Sequence, residues 1–96
     1  MFAVTRLRAA GDDGEALAAA VAPLLAALGV RRGFLAGDFG RSADDPSLWA
    51  LVTRWDGVGS YRRALSAAEV KIAGAPVWLH ALDEPGVYLP QDIARG

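Results

Sequence analysis

Ninety-six residues, 53% hydrophobic and 22% charged, make one globular domain near the small end of what can bury its own core, and leave no room for a second. Ten Lys and Arg against eleven Asp and Glu give a formal net charge of -1, too balanced for the basic stripe that holds a nucleic-acid backbone. With no cysteine, disulfides, thiol nucleophiles and thiolate metal sites are all excluded, and the cytoplasm is the expected compartment.

Phe2 to Arg8 alternates loosely between apolar and polar residues and reads as a first strand, followed by a loop from Ala9 to Asp13. Asp12, with Glu15 three positions on, has the pattern of an N-cap and its capping-box partner. Leu17, Val21, Leu24, Leu25 and Leu28 then form one apolar helical stripe, which Gly29 would end in the left-handed conformation. Pro23 removes a hydrogen bond to Ala19 and predicts a kink. The run from Ala16 to Leu28, interrupted by that proline, falls short of the roughly twenty apolar residues a membrane span requires, so no membrane partner is expected.

Gly33 to Arg41 reads as a second strand, with Gly37 and Gly40 marking a bulge or a place of close backbone approach. Ser42 to Pro46 turns the chain into a third strand, Leu48 to Trp55. Side chains alternate across a strand, so Trp49, Leu51, Thr53 and Trp55 share one face while Leu48, Ala50, Val52 and Arg54 share the other. Asp56 is the expected N-cap of a short helix carrying Val58, Tyr61 and Leu65 on one side. Ser66-Ala67-Ala68-Glu69 fits a second capping box, whose helix Gly74 would close. Pro76 suits the first turn of a third short helix that points Trp78, Leu79 and Leu82 inward. Asp83 to Gly86 is a turn, and Val87 to Leu89 a last strand. The domain therefore spans 1–90, and 91–96 read as a loose tail.

Strand, helix, strand, strand, broken helix, strand is the order of a ferredoxin-like α+β fold, with helices on one face of a four-stranded antiparallel sheet. The other face would expose Leu48, Ala50 and Val52, which a small monomer rarely tolerates. Two copies packed sheet to sheet would bury it, so the expectation is a homodimeric α+β barrel.

Gly33-Phe34-Leu35 opening the second strand, the Asp45-Pro46 turn, Trp49 to Trp55, Tyr61 six residues after Trp55, and Glu84-Pro85 before a strand with Tyr88 together resemble the antibiotic biosynthesis monooxygenase family over nearly the whole domain. The resemblance implies a small dimeric protein that includes among its kin cofactor-independent oxygenases of aromatic polyketide anthrones and haem-degrading enzymes. It implies catalytic roles for Trp55 and Tyr61. The catalytic Asn of the family has no counterpart, since the chain contains no asparagine and Leu51 stands four residues before Trp55. Where the haem-degrading branch has a His, about ten residues beyond the Trp, this chain has Leu65.

The residues allow a cavity between sheet and helices in which Trp55 stacks on a flat aromatic molecule and the Tyr61 hydroxyl bonds a substrate oxygen; the bland alternative is that both are core aromatics. Trp49, Leu51, Arg62 and Trp78 are the expected substrate-binding neighbours. Such chemistry needs a dry pocket and a donor for an oxyanion, but no metal, flavin or haem. The single His80 builds no metal site with neither Cys nor a second His to join it. No nucleotide loop or nucleophile elbow is present. Two functions follow: a cofactor-independent monooxygenase acting on a small aromatic polyketide or quinol, and a non-catalytic dimeric binding or accessory protein that keeps the pocket.

Overall fold

A computed structural model describes residues 1–93; the end of the expected tail, residues 94–96, lies outside them. The elements follow in the order β1 (Phe2–Arg8), α1 (Gly11–Gly29), β2 (Phe34–Arg41), β3 (Leu48–Trp55), α2 (Val58–Ser66), α3 (Ala68–Trp78) and β4 (Val87–Tyr88). They build a four-stranded antiparallel sheet in the spatial order β2-β3-β1-β4, the ferredoxin-like arrangement the sequence predicts. β3 coincides with its expected span, and its alternation places Leu51, Thr53 and Trp55 in the interior.

α1 owes its position to its stripe. Leu17, Val21, Leu24 and Leu28 are all buried and join Leu7, Leu51, Trp55, Val70 and Val77 in one core. Each such side chain is worth about 1.5–3 kcal/mol of apolar transfer. The helix starts differently from the expectation: Ala10 is its N-cap and offers no side-chain bond, while Asp12 lies inside the first turn. There it acts with Asp13 through favourable charge at the positive end of the helix. Gly29 is the last helical residue and does not adopt a positive φ. The residues with positive φ are instead Gly11, at φ 56, and Gly33, at φ 91. A Cβ on Gly33 would collide with the Ser60 side chain and with Asp56 Oδ1, and its carbonyl accepts the Asp56 N–H at 2.8 Å. Gly33 therefore locks the entry of β2 against the corner where β3 becomes α2.

The β2–β3 turn closes through polar side chains. Ser42 Oγ accepts the N–H groups of Asp44 and Asp45, and Asp45 Oδ1 accepts both the N–H and the hydroxyl of Ser47. Arg8 completes the cluster with an ion pair to Asp45 at 3.2 Å. The Ser47 bonds, with help from Arg8, hold the Asp45 carboxyl below its ordinary value. The bulge in β2 sits between Phe34 and Ala36 instead of at a glycine. Gly37 is the place of close approach, because a Cβ there would stand 2.8 Å from Leu25 Cδ2 of α1.

The second half of the helical layer departs most from the sequence reading. Gly57, with no side-chain cap, precedes α2 in place of Asp56, and Ser60 and Ala64 are its most buried residues. Ser66 ends α2 and its hydroxyl donates to the Arg63 carbonyl at 2.8 Å, so Ala67 caps α3 without a side-chain bond. α3 then runs unbroken through Gly74 and Pro76. No separate helix begins at Pro76; Trp78 ends α3 half-buried, while Leu79 is 71% exposed. The proline is tolerated because its face of α3 is exposed and tertiary packing of Val70, Gly74 and Val77 holds the opposite face.

β4 keeps only Val87 and Tyr88 of the expected strand. Backbone from the preceding loop satisfies the rest of the β1 edge: Arg8 N–H donates to the His80 carbonyl, Leu82 N–H to Arg6 and Val4 N–H to Gly86. Arg6 clamps that loop through a two-pronged bond to Glu84 at 2.6 and 2.8 Å. The same bond holds the Glu84 carboxyl below its ordinary value.

Candidate functional site

Between the helix-facing side of β1 and the pair α2 and α3 lies an open cavity of about 370 Å³, lined by Thr5, Tyr61, Leu65, Lys71 and Trp78. Its volume falls within the roughly 300–1,000 Å³ of small-molecule sites. Tyr61 and Leu65 are one helical turn apart on α2, and Lys71 and Trp78 two turns apart on α3, so each helix gives one face to the cavity. Thr5 is the one polar residue among the helix-facing positions Ala3, Thr5 and Leu7 of β1.

Trp78 is seated by a glycine. A Cβ on Gly74 would collide with the Trp78 indole, whose Cδ1 would stand 2.9 Å away. The flat ring thus lies along α3 over the missing side chain and forms a cavity wall. Gly74, one turn before Trp78, makes room for an aromatic surface; it does not end the helix.

Tyr61 is positioned from beneath. The Trp55 ring lies 5.6 Å away at an interplanar angle of 58°, and Phe34 meets the same indole edge-on at 5.2 Å. Trp55 is 1% exposed, and its indole N–H donates to Thr53 Oγ1 at 2.9 Å in the interior. It carries Tyr61 without opening into the cavity. Burial pushes the Tyr61 phenol above its ordinary value of 10.0, and burial is the sole contribution. The group is therefore a neutral donor at neutral pH.

The structure brings together only part of the set of residues that the sequence nominates. Tyr61 and Trp78 line the same cavity, and Trp55 packs under the first. Leu51, 2% exposed, pairs in register with Thr5 on the helix-facing side of the sheet. Arg62 is exposed on α2 and does not line the cavity. Trp49 belongs elsewhere: its indole N–H donates to the Ala9 carbonyl at 3.0 Å, its ring stacks on Phe39 at 5.4 Å, and the Arg41 guanidinium lies over it. It borders a second cavity of about 450 Å³ against the start of α1. Thr5 and Lys71 are lining residues that sequence reasoning passed over. The signal for Lys71 was present, since it is the only lysine of the chain and sits in the N-terminal half of a helix, where positive charge opposes the dipole.

His80 lies in the turn after α3, where its backbone carbonyl accepts from Arg8. Among the described residues no group of His, Asp and Glu is arranged to hold a metal ion. No described helix is long and apolar enough to cross a membrane.

The sequence matches no protein-family model and no protein of curated function. Its fold, however, is shared with solved structures. A mutant form of SnoaB, a cofactor-independent oxygenase from Streptomyces nogalater, superposes with a TM-score of 0.82 at 18% identity over 96% of this chain and 93% of that one. A candidate antibiotic biosynthesis monooxygenase from Deinococcus radiodurans gives 0.79 at 16% identity over 98% and 95%. Another from Chloroflexus aurantiacus gives 0.73 at 21% identity over 99% and 97%. The chain has the fold of the antibiotic biosynthesis monooxygenases along nearly its whole length.

Proposed function

We propose that this protein is a cofactor-independent monooxygenase of the antibiotic biosynthesis monooxygenase type, acting on a flat aromatic anthrone or quinol bound between β1, α2 and α3. The observation that carries the reading is that Tyr61, its phenol kept neutral by burial, and Trp78 line one cavity. A flat ring stacks on the indole while the phenol donates to a ring oxygen. Trp55 acts through Tyr61 as a positioning residue. The fold shared with SnoaB, a cofactor-independent oxygenase, supports the same class.

For an anthrone the reaction balances without a cofactor. Water takes a proton from the ring CH₂ to leave a carbanion, which transfers one electron to dioxygen; the two radicals join in a C–O bond, the peroxide anion takes the proton back, and the hydroperoxide loses water. CH₂ and O₂ become C=O and H₂O, with dioxygen taking all four electrons. The Tyr61 hydroxyl steadies the oxyanion that shares the carbanion's charge.

A second reading is favoured by one observation. The position where the family carries its catalytic Asn is Leu51, buried in the core, and a non-catalytic binding protein would keep the cavity without that amide. Oxygen uptake with a panel of anthrones and hydroquinones, beside binding of the same compounds, separates the two. Uptake equimolar with the quinone formed is expected. Binding without uptake would establish the binding protein, and neither would overturn both.

A second copy covering the open face of the sheet completes the proposal. Leu48, Ala50 and Val52 on that face are only half-buried in the single chain, beside Val4 in register with Val52. Light scattering is expected to give twice 10.0 kDa; a stable monomer at micromolar concentration would refute it. Elemental analysis and an absorption spectrum are expected to show no stoichiometric metal, flavin or haem.

A further inference from the structure

Lys71 is the one formally charged side chain among the residues that line the Tyr61 cavity. The ion pairs formed among the described residues, Arg6–Glu84 and Arg8–Asp45, do not involve it. It stands in the first turns of α3, whose N-terminal half already carries positive partial charge. A lysine there gains nothing from the helix, and the side chain is free to meet a ligand. Tyr61 brings a second donor from α2. Thr5 contributes a hydroxyl from β1 and no charge. The acid nearest in sequence, Glu69, does not line the cavity, and neither do Arg62 and Arg63 on α2. The lining therefore combines three hydrogen-bond donors, Thr5, Tyr61 and Lys71, with the apolar Leu65 and the Trp78 ring.

We propose that Lys71 makes the cavity selective for the ionised form of an acidic hydroxyaromatic, with the phenolate or enolate oxygen on the Lys71 ammonium and the Tyr61 hydroxyl donating to it. The proposal rests on the reading of this cavity as an aromatic-binding site and specifies the charge state it takes. It also supplies what Leu51 cannot, a polar group to hold the substrate anion, because an opposite charge within about 4–6 Å favours the charged form of an acid by one to three pK units.

A hydroxyanthraquinone tests this directly, since its phenol and phenolate have separate absorption bands and the dye reports its own ionisation when bound. With the parent protein, the bound dye is expected to titrate at least one unit below the free dye, and affinity at a pH above the free dye's pKa is expected to be at least tenfold higher than well below it. Lys71→Gln is expected to abolish the shift while keeping the neutral dye's affinity within twofold, and Lys71→Arg to restore it. Arg32→Gln, on the loop after α1, controls for general loss of positive charge and is expected to leave the shift intact. A thermal melt confirms that each variant is folded, as an exposed position should allow. A parent protein that binds both forms equally, or a Lys71→Gln variant that keeps the shift, would overturn the role of Lys71 and leave the cavity reading standing. Failure of the parent to bind any dye would overturn both.

Discussion

The two faces of the sheet are made of the same strands, yet the residues of β3 that point toward the helices are nearly all sealed, while those pointing away are half-open. On the covered face Ala3, Leu7, Leu51, Thr53 and Trp55 are buried. On the other, Phe2 stacks on Tyr88, Arg54 lies over Phe2, and Val4 and Val52 pair side by side. Both faces are apolar, so hydrophobicity does not distinguish them. Cover does: the first has it from its own chain, and the second lacks it. Three helices are enough to bury one face and frame a cavity on it, and they leave the other face without cover from the described chain.

The largest break in this comparison is expected from the covered face. Trp55→Ala removes the indole between Phe34 and Tyr61 and should destabilise the fold by about 3–5 kcal/mol, read by urea denaturation. On the open face, Val52→Ala should cost well under that in a single chain, whereas Val52→Asp should remove the dimer or the soluble protein, because a dimer core would have to bury an unpaired carboxylate. Light scattering decides, and a Val52→Asp protein of unchanged dimeric mass would show that this face stays solvated.

Tyr61→Phe sharpens the covered side. It should leave the melting midpoint nearly unchanged, as no protein partner contributes to the phenol's shift, and weaken binding of a hydroxyaromatic by about 1 kcal/mol, roughly fivefold. The ligand-quenched fluorescence should come from Trp78, in the cavity wall, and survive Trp49→Phe.

The smallest effect concerns pH. Asp45 and Glu84 have carboxyls held below their ordinary 3.8 and 4.5. Their contribution is fully present above those values and is lost as pH falls through the lower native ones. Tyr61 is the opposite case: raised above 10.0, it gives stability that is present below that value and lost as pH rises beyond it. Midpoints measured across both ranges should slope in these directions, with the acid slope reduced by Glu84→Gln.

The sheet was legible in the sequence because its signals are local: β3 has no breaker over eight residues, and the Ser42 to Ser47 turn carries its own bonding groups. The helical layer was less so. Ser66 and Glu69 have capping-box spacing, but the Ser66 hydroxyl turned back to Arg63, and sequence cannot tell which of two adjacent helix ends such a side chain serves. Gly74 looks like a terminator and Pro76 like the start of a new helix, yet packing of Val70 and Val77 carried α3 past both. Tyr61 and Trp78 could be nominated as single aromatics with a helical spacing. Trp49 could not be told from Trp55 as a site residue, because alternation puts both on one face while the cavity occupies only part of it. Thr5 and Lys71 come from β1 and α3, and only the crossing of those elements makes them neighbours.

The position of β1 also governs how the molecule is made. It is the first strand in the chain but lies inside the sheet, between β3 and β4, and it pairs with Leu48 to Arg54 on one edge and Tyr88 on the other. At about 5–20 residues per second of synthesis, β1 waits on the order of seconds for its first partner, and longer for the loop that Arg6 clamps. Meanwhile α1 can form locally, but the stripe of Leu17, Val21, Leu24 and Leu28 has no sheet to rest on. Such non-local pairing lengthens the search and exposes apolar surface while it lasts, so a nascent chain stalled before β3 should be the form that a ribosome-associated chaperone holds most firmly.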